Sequence, residues 1–210
     1  MITNGIIAIV IGYLLGSIPS AYIATRLAKG KDIRQMGRGN VGALNTIRRV
    51  GTGVGLAVGL TDIGKGAAAI AVAQWLLDVP LPFILLTGLA AVAGHNWSIF
   101  LKFTGGKGTA TTLGILAILM PRELLIVFAI VLIPLIITRN AALSIAIGLI
   151  SLPVSTWLLE KSGPLVAFSL FLLLIIGLKS LPTAIAIWTE TKHKKELIFS
   201  QWQRKQKGRT

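Results

Sequence analysis

The sequence lacks cysteine and is poor in charge, histidine and acidic residues. Without cysteine there can be no disulfide, no thiolate metal site and no cysteine nucleophile, and the redox compartment stays open. The two histidines, His95 and His193, lie far apart, so a multi-histidine metal site is not expected. Only 13% of the residues are charged, whereas 54% are hydrophobic, and the mean hydropathy is +0.80. A soluble domain of this length needs more polar surface, so the composition predicts a membrane protein.

Seven apolar segments account for most of the chain. A helix needs about 20 apolar residues to cross a bilayer, and helices satisfy their own backbone polar groups in lipid. The sequence therefore predicts an all-α integral membrane protein forming one polytopic domain over 1–210, with a basic cytoplasmic tail at 179–210. The first segment lacks the positive leading region of a cleaved signal, so we interpret it as a retained helix. The segments cover 5–28, 54–77, 81–101, 109–120, 123–138, 141–159 and 163–178.

The positive charges are distributed unevenly between the predicted loops. The loops at 26–50, at 102–108 and around Arg139, together with the tail from Lys179, hold 18 of the 21 lysine and arginine residues. Positive loops stay in the cytoplasm, which favours seven transmembrane helices with the amino terminus outside. Six spans remain an alternative, because the fourth segment is short. Six spans would fit less well the alternation of basic and non-basic loops between the two faces of the membrane. This pattern also explains the net charge of +14 without nucleic acid as a partner.

The first inside loop (GRGNVGALNTIRR, residues 37–49) combines glycines with arginines and asparagines. Backbone amides in glycine-rich turns can form a nest for an anion, and arginine adds charge-assisted donors. Packing of small residues against another helix would also use glycines, but not the asparagine and arginines among them. We therefore predict phosphate binding by Arg38, Gly39, Asn40, Gly42, Asn45 and Arg48.

The second inside loop contains the sequence GGKG at residues 105–108, which we call the GGKG loop. Its backbone amides could wrap an anion while Lys107 supplies a positive charge. It is not a Walker A loop, because Gly108 follows Lys107 where that motif has serine or threonine. The predicted phosphate-binding residues here are Gly105, Gly106, Gly108 and Thr109, with Lys107 in a catalytic role.

Asp62 and Lys65 are ionisable residues inside an apolar segment, and His95 ends another. Residues three apart share one helical face, so Asp62 and Lys65 are predicted to form an ion pair. This pair either takes part in the function or only fixes the packing of the helix. His95 is a candidate general acid or base, or an interfacial residue beside an aromatic belt. His193 belongs to a basic run that is either solvated or binds phosphate.

These motifs resemble the bacterial acyl-phosphate:glycerol-3-phosphate acyltransferases, the PlsY family. GRGNVGALNTIR followed by DIGKG is similar to the family's G-S-G-N-x-G-A-T-N-x-x-R and D-x-x-K-G, and GHNWSIF with GGKGTAT resembles its second motif. KHKKEL in the tail resembles a third motif more loosely, and the opening GYLLGSIPSAYI is also typical. The resemblance covers most of the chain and implies seven helices with an outside amino terminus.

The resemblance also implies a reaction in the bacterial cytoplasmic membrane. An acyl group would move from acyl phosphate to the 1-hydroxyl of sn-glycerol 3-phosphate, giving lysophosphatidic acid, the first committed step of phospholipid biosynthesis. Arg48, Lys107 and His95 would be catalytic, and neither a metal nor another cofactor is expected. Membrane lipids would surround the site, and an enzyme that supplies acyl phosphate is a candidate partner.

The sequence departs from the family pattern at four positions. Arg38, Leu44, Ser98 and Glu196 stand where the family has serine, threonine, proline and asparagine. The alternative reading is a catalytically weakened relative that binds phosphate-bearing lipid precursors without turnover. A third hypothesis is a small transporter. An internal repeat, in which the second half of the sequence resembles the first half, would favour this hypothesis, and no such repeat is apparent.

Overall fold

The structure is a computed structural model that describes residues 1–190, and its regular elements there are helices. Two short 3₁₀ turns, Ile33–Gln35 and Ile99–Leu101, lie in the loops, and a π-helical turn at Val72–Leu76 ends the fourth helix. The α-helices are α1 (Ile2–Ser17), α2 (Ser20–Lys29), α3 (Ala43–Arg49), α4 (Thr52–Ala71), α5 (Leu81–Asn96), α6 (Thr109–Leu119), α7 (Pro121–Thr138), α8 (Ala141–Glu160) and α9 (Gly163–Glu190).

Each predicted apolar segment is helical over most of its length, and α3 lies outside these segments, in the first inside loop. Within residues 1–190, five stretches are long and apolar enough to cross a membrane: Ile2–Lys29, Thr52–Leu76, Pro121–Thr138, Ala141–Glu160 and Gly163–Ala186. The helices Leu81–Asn96 and Thr109–Leu119 are apolar but shorter. The prediction of an all-α integral membrane protein is therefore confirmed. Of the predicted tail, residues 191–210 with His193 and Glu196 lie outside the described residues.

The first predicted helix is interrupted, which the hydrophobic pattern did not indicate. The chain leaves α1 at Ile18, whose φ and ψ are −54° and 117°, and re-enters a helix at Ser20. Pro19 explains the break, because proline disfavours helical geometry in the preceding residue and cannot donate a backbone hydrogen bond. The break leaves the Ile18 carbonyl without a helical partner, and a side chain of the site uses it.

Two helix ends also differ from the prediction. The segment 81–101 stops being helical at Asn96, where Tyr13 Oη donates to the Trp97 carbonyl at 2.9 Å and Ser98 Oγ donates to the Ser17 carbonyl at 2.5 Å. These bonds fasten the chain to α1 instead of continuing α5. Conversely, the last segment continues past 178 to Glu190, because the residues after Lys179 are again largely apolar. Residues 179–190, the start of the predicted tail, are thus helical, and the tail itself stays a prediction.

The chain divides into two compact units, of which the first contains the candidate site. This unit comprises Met1–Pro121 and Leu174–Lys179. Within it α1 packs on α5, and α4 packs on α6. Glycines allow both approaches: a Cβ on Gly16 would overlap the Ala91 carbonyl, and one on Gly66 would overlap the Thr111 carbonyl. Small residues at helix contacts let backbones approach closely in a membrane.

The second unit comprises Arg122–Leu173 and the chain from Ser180 onward. It contains most of α7, all of α8 and much of α9. Gly148 of α8 lies against Val127 and Val131 of α7, again a close contact at a glycine.

Candidate active site

The GGKG loop is built on the end of α5. The Gly106 amide donates to the His95 carbonyl at 3.0 Å, and Gly105 lies so close to the His95 and Asn96 carbonyls that a Cβ would overlap them. The last carbonyls of a helix have no partner within the helix, so the loop satisfies one of them. Gly108 has a φ of +80°, which favours glycine, and it caps the start of α6. The loop therefore presents Lys107 and Thr109 beside the amides of a helix start, where an anion is stabilised.

The two glycine-rich loops are neighbours in the structure. A Cβ on Gly106 would lie 2.6 Å from the Val41 carbonyl of the first loop. Lys107 is half-buried, and its pKa is lowered by that burial and, to a smaller extent, by the positive charge of Arg38. Two cations from different loops are thus close enough to repel each other. A bound phosphate would relieve this repulsion.

Asn45 organises the first loop from within α3. Its Nδ2 donates to the Met36 carbonyl at 3.0 Å and to the Asn40 carbonyl at 2.9 Å. Its Oδ1 would lie 2.5 Å from a Cβ on Gly37, which has a φ of +64°. The side chain that was predicted to bind phosphate thus uses both amide hydrogens to shape the loop. Phosphate binding by Asn45 stays a prediction, and so do the contributions of Gly39, Asn40 and Gly42.

The arginines of the first loop are exposed, unlike Lys107. Arg38 lies in the turn after the 3₁₀ segment, and Arg48 lies in the last turn of α3. Asp32, which precedes this loop, pairs with Arg34, with 2.7 Å between Oδ2 and Nη2, and this hydrogen bond is the main reason that the pKa of Asp32 is lowered. Asp32 is therefore already paired, and Arg38 and Arg48 reach the surface where an anionic substrate would arrive.

Asp62 and Lys65 form the predicted ion pair in α4. Lys65 Nζ lies 2.9 Å from Asp62 Oδ1, and both side chains are buried. Lys65 Nζ also donates to the Ile18 carbonyl at 3.0 Å, which is the acceptor freed by the break at Pro19. The intramembrane pair therefore joins α4 to the junction of α1 and α2.

Two further residues join this pair. Ser20 Oγ donates to Asp62 Oδ1 at 2.7 Å, and His95 Nδ1 lies 3.5 Å from the same oxygen. The sequence analysis missed Ser20, because a serine in an apolar run gives no signal until its partner is known. We call Ser20, Asp62, Lys65 and His95 the Asp62 cluster.

A small cleft opens beside the Asp62 cluster. Its empty volume is about 190 Å³, including space open to solvent. Serine, lysine and histidine side chains line it together with apolar ones, and the space inside has room for about one water molecule. The lining residues include Ser17, Ser20, Val41, Lys65, His95 and Gly105.

Lys179 of α9 is another cation that the sequence analysis counted only as the start of a tail. Its Nζ lies 5.3 Å from the centroid of the Trp97 ring, a cation–π contact directly after α5. Asn96, which precedes Trp97 in the chain, is fully buried. The nitrogen and oxygen of its side-chain amide have no hydrogen-bond partner among the described residues. Among these residues, no group of three or more histidine, cysteine or acidic side chains could hold a metal ion.

Comparison with known proteins agrees with this arrangement of motifs. The sequence profile of the family described as glycerol-3-phosphate acyltransferase matches residues 6–197. The chain belongs to the glycerol-3-phosphate acyltransferase family. Glycerol-3-phosphate acyltransferase 1 of Dehalococcoides mccartyi is 46% identical over 206 residues, covering 96% of this chain and 99% of that protein. A relative from Moorella thermoacetica, glycerol-3-phosphate acyltransferase 2, is 38% identical and covers 90% and 96%.

Solved structures of the same family share the fold. A structure of PlsY (YgiH), an integral membrane glycerol 3-phosphate acyltransferase in its glycerol 3-phosphate form, has a TM-score of 0.79 at 27% identity and covers 93% of this chain and 99% of its own. Its lysophosphatidic acid form has a TM-score of 0.77 at 28% identity, covering 90% and 94%. The predicted family and the predicted membrane acyltransferase are confirmed. These comparisons favour the enzyme over the non-catalytic alternative.

Proposed function

We propose that this acyltransferase moves an acyl group from acyl phosphate to the 1-hydroxyl of sn-glycerol 3-phosphate. The observation that carries the proposal is the contact between the two glycine-rich loops, where the half-buried Lys107 lies close enough to Arg38 to feel its charge. Both substrates carry phosphate, so a site with converging cations and backbone amides suits both. The product would be lysophosphatidic acid.

The reaction requires that the phosphate groups of both substrates are bound and that an acceptor takes the proton of the attacking hydroxyl group. The hydroxyl oxygen attacks the acyl carbon, a new C–O ester bond forms, and the bond to the phosphate oxygen breaks. Inorganic phosphate leaves with the electron pair. Preorganised donors stabilise the negative charge that develops, and holding both substrates supplies the orientation. Lys107 and Arg48 hold the phosphates in this proposal, and the hydroxyl proton passes to the substrate's own phosphate or to His95.

The remaining site residues contribute to phosphate binding. Arg38 acts as an additional clamp, since arginine donates to phosphate through a planar fork. The amides of Gly39, Gly42, Gly105, Gly106 and Gly108, with Asn40 and Thr109, complete the cradle, and Asn45 supports it by shaping the first loop. His193, which lies outside the described residues, would add a donor from the tail. No cofactor takes part in this scheme.

The topology in this proposal has seven transmembrane helices, with the amino terminus outside the bacterial cytoplasmic membrane. The seven apolar stretches within residues 1–190 support it, and so does the contact between the loops after α2 and α5, which therefore share one face. The positive-inside rule makes that face cytoplasmic, because the lysines and arginines concentrate there. The site would then meet glycerol 3-phosphate from the cytosol and acyl phosphate from a supplying enzyme.

The deciding experiment measures phosphate release by the purified protein. Palmitoyl phosphate and glycerol 3-phosphate should together give inorganic phosphate and lysophosphatidic acid in equal amounts. Palmitoyl phosphate alone should give far less. Binding of glycerol 3-phosphate without any acyl transfer would support the binding-protein alternative instead.

A further inference from the structure

The segment between α5 and the GGKG loop, residues 97–104, carries a large share of exposed apolar surface, and we call it the Trp97 loop. Ile99, Phe100 and Phe103 are 49%, 60% and 61% exposed, although α5 has already ended before them. Lys102, between the last two, is exposed as well. Contiguous exposed apolar surface of this kind marks a place where the protein meets another apolar surface.

In the topology proposed above, α5 crosses the membrane, but it is short for that task. Its 16 residues rise about 24 Å, whereas the hydrocarbon core is about 30 Å thick, and any tilt shortens the span further. A helix of this length that starts at the outer edge of the core ends about 6 Å before the inner edge. The residues that follow α5 therefore cover the remaining depth.

The neighbouring helix α1 gives an independent measure of this depth. It is also 16 residues long and runs parallel to α5, with two close contacts along their length: Gly5 with Phe83 and Gly16 with Ala91. The apolar stretch does not end with α1 but continues through α2, over Ile2–Lys29. The Trp97 loop lies at the level where α1 ends, because Ser98 Oγ donates to the Ser17 carbonyl at 2.5 Å. It therefore lies beside the part of this stretch that still needs lipid.

The Trp97 loop pairs its own polar groups, as a non-helical segment inside a bilayer must. The Ser98 carbonyl accepts from the amides of Leu101 and Phe103 at 3.1 and 2.8 Å. The Leu101 carbonyl accepts from the amide of Thr104 at 3.2 Å and from its hydroxyl at 2.6 Å. A loop in water needs no such closure, since water satisfies the backbone groups. The hydrogen bonding therefore suits an apolar surrounding.

Two consecutive residues of this loop have a left-handed backbone. Lys102 has a φ of +55° and Phe103 a φ of +58°, which is unfavourable for residues other than glycine. Such strain persists where the surroundings fix it, and here the hydrogen bonds to Ser98 do so. A strained backbone that leaves a phenylalanine exposed is unfavourable in water, because both the strain and the exposure cost stability. Contact with lipid removes the second cost.

We propose that the Trp97 loop is embedded in the inner leaflet, with Ile99, Phe100 and Phe103 among the acyl chains of phospholipids and Lys102 at their phosphates. The stem of a lysine can follow apolar surface while its ammonium reaches anionic head groups. The proposal rests on the topology proposed above, and only its kinetic consequence rests on the proposed function. That consequence is that the GGKG loop, which follows directly, is held at the membrane surface, where the phosphate of a membrane-dissolved acyl phosphate lies.

Spin labels on single cysteines measure the depth of each position, since the sequence contains no cysteine. Phe100→Cys, Lys102→Cys and Phe103→Cys are labelled in vesicles of phosphatidylethanolamine and phosphatidylglycerol. Collisions are recorded with oxygen, which concentrates in hydrocarbon, and with a water-soluble nickel chelate. We expect oxygen to dominate at positions 100 and 103 and the chelate to dominate at position 102. Asp78→Cys, at an exposed residue after the π-helical turn, is the aqueous control.

Equal collision with the chelate at positions 100, 102 and 103 would overturn the proposal. The loop would then lie in water, and the bilayer would have to thin to the length of α5. Because each label replaces an exposed side chain, the measurement does not depend on turnover.

The kinetic consequence is tested in the same vesicles without labels. Phe100→Ser removes apolar surface from the loop and keeps the hydrogen bonds of Ser98. We expect KM for palmitoyl phosphate to rise about tenfold, since burial of a phenylalanine side chain is favourable by at least that factor. KM for glycerol 3-phosphate should stay nearly unchanged. Phe171→Ser is the matched control, because this phenylalanine within α9 is similarly exposed, and both of its KM values should be unchanged.

The two parts of the proposal fail separately. An equal rise of KM for both substrates in Phe100→Ser, or an equal rise for palmitoyl phosphate in Phe171→Ser, would contradict the role of the loop in holding the site at the membrane. If the unmodified protein shows no turnover, the proposed function fails, and the collision measurements still decide whether the Trp97 loop is embedded in lipid.

Discussion

At the scale of the residue, the site depends on a few cations whose surroundings differ. Lys107 is half-buried, whereas Lys102 in the same loop is exposed. A lysine that is partly removed from water and placed beside helix-start amides interacts more strongly with an anion than an exposed one does. The neighbouring lysine therefore provides a natural control for the charge of the loop.

We predict that Lys107→Ala nearly abolishes acyl transfer while Lys102→Ala leaves it almost unchanged. Loss of one partner of a charge pair that bound substrate buries costs about 2–5 kcal/mol, which corresponds to a decrease of about 30-fold or more in kcat/KM. Phosphate release from palmitoyl phosphate measures both variants. Similar kcat/KM values for the two alanine variants would show that only the net charge of the loop matters.

We also predict that Arg38→Ser shifts the alkaline limit of substrate binding to higher pH. The positive charge of Arg38, added to burial, lowers the pKa of Lys107, so Lys107 loses its proton at a lower pH than an ordinary lysine. Removing Arg38 raises that pKa, and the ammonium that binds phosphate persists further into the alkaline range. The affinity at neutral pH should nevertheless fall, because a phosphate donor is lost. Titration of glycerol 3-phosphate binding against pH in both proteins measures the shift, and an unmoved alkaline limb would argue that the two cations act independently.

At the scale of the element, glycine contacts decide how α6 and its loop are placed. Gly66 of α4 meets the Thr111 carbonyl of α6, whereas Gly64 on the same helix has open space around its missing Cβ. The two glycines stand in one motif, DIGKG, but only one of them carries a helix contact. Sequence alone could not distinguish them, because the partner backbone is 45 residues away.

We predict opposite effects of alanine at these two positions. Gly66→Ala should destabilise the protein by about 1–3 kcal/mol, since the Cβ must displace the backbone of α6. The same displacement should raise KM, because α6 begins at the GGKG loop. Gly64→Ala should be neutral or stabilise by up to about 1 kcal/mol, because a glycine inside a helix is entropically unfavourable. Thermal unfolding in detergent compares the two variants, and equal melting temperatures would contradict the packing argument.

The sequence was informative about elements and motifs and less so about their ends and partners. Hydrophobic runs and the spacing of Asp62 and Lys65 predicted helices and an ion pair, since both depend on local periodicity. The Ser20 bond to Asp62 and the bond between the Gly106 amide and the His95 carbonyl depend on contacts between distant segments. No local pattern encodes such contacts, so they became apparent only in the structure.

At the scale of the whole molecule, orientation in the membrane connects the site to its substrates. The lysine- and arginine-rich loops after α2 and α5 touch each other through Val41 and Gly106, so they lie on one face. Glycerol 3-phosphate is a charged, water-soluble molecule, which must reach this face from an aqueous compartment. An odd number of crossings would put the amino terminus on the opposite face from the basic tail.

The absence of cysteine makes this orientation directly testable. Single cysteines at Asn4 and Gln206 can be introduced without removing any native thiol. We predict that a membrane-impermeant maleimide added to intact cells labels the cysteine at position 4, while the cysteine at position 206 reacts only after the membrane is opened. The physical reason is the positive-inside rule, which places the loop charges and the tail in the cytoplasm and therefore requires seven crossings.

A third cysteine in place of Lys102, in the exposed part of the loop after α5, should behave like position 206, because it shares the face of the site. Labelling of positions 4 and 206 from the same side would require an even number of crossings, and one of the shorter helices, α5 or α6, would then not span the bilayer.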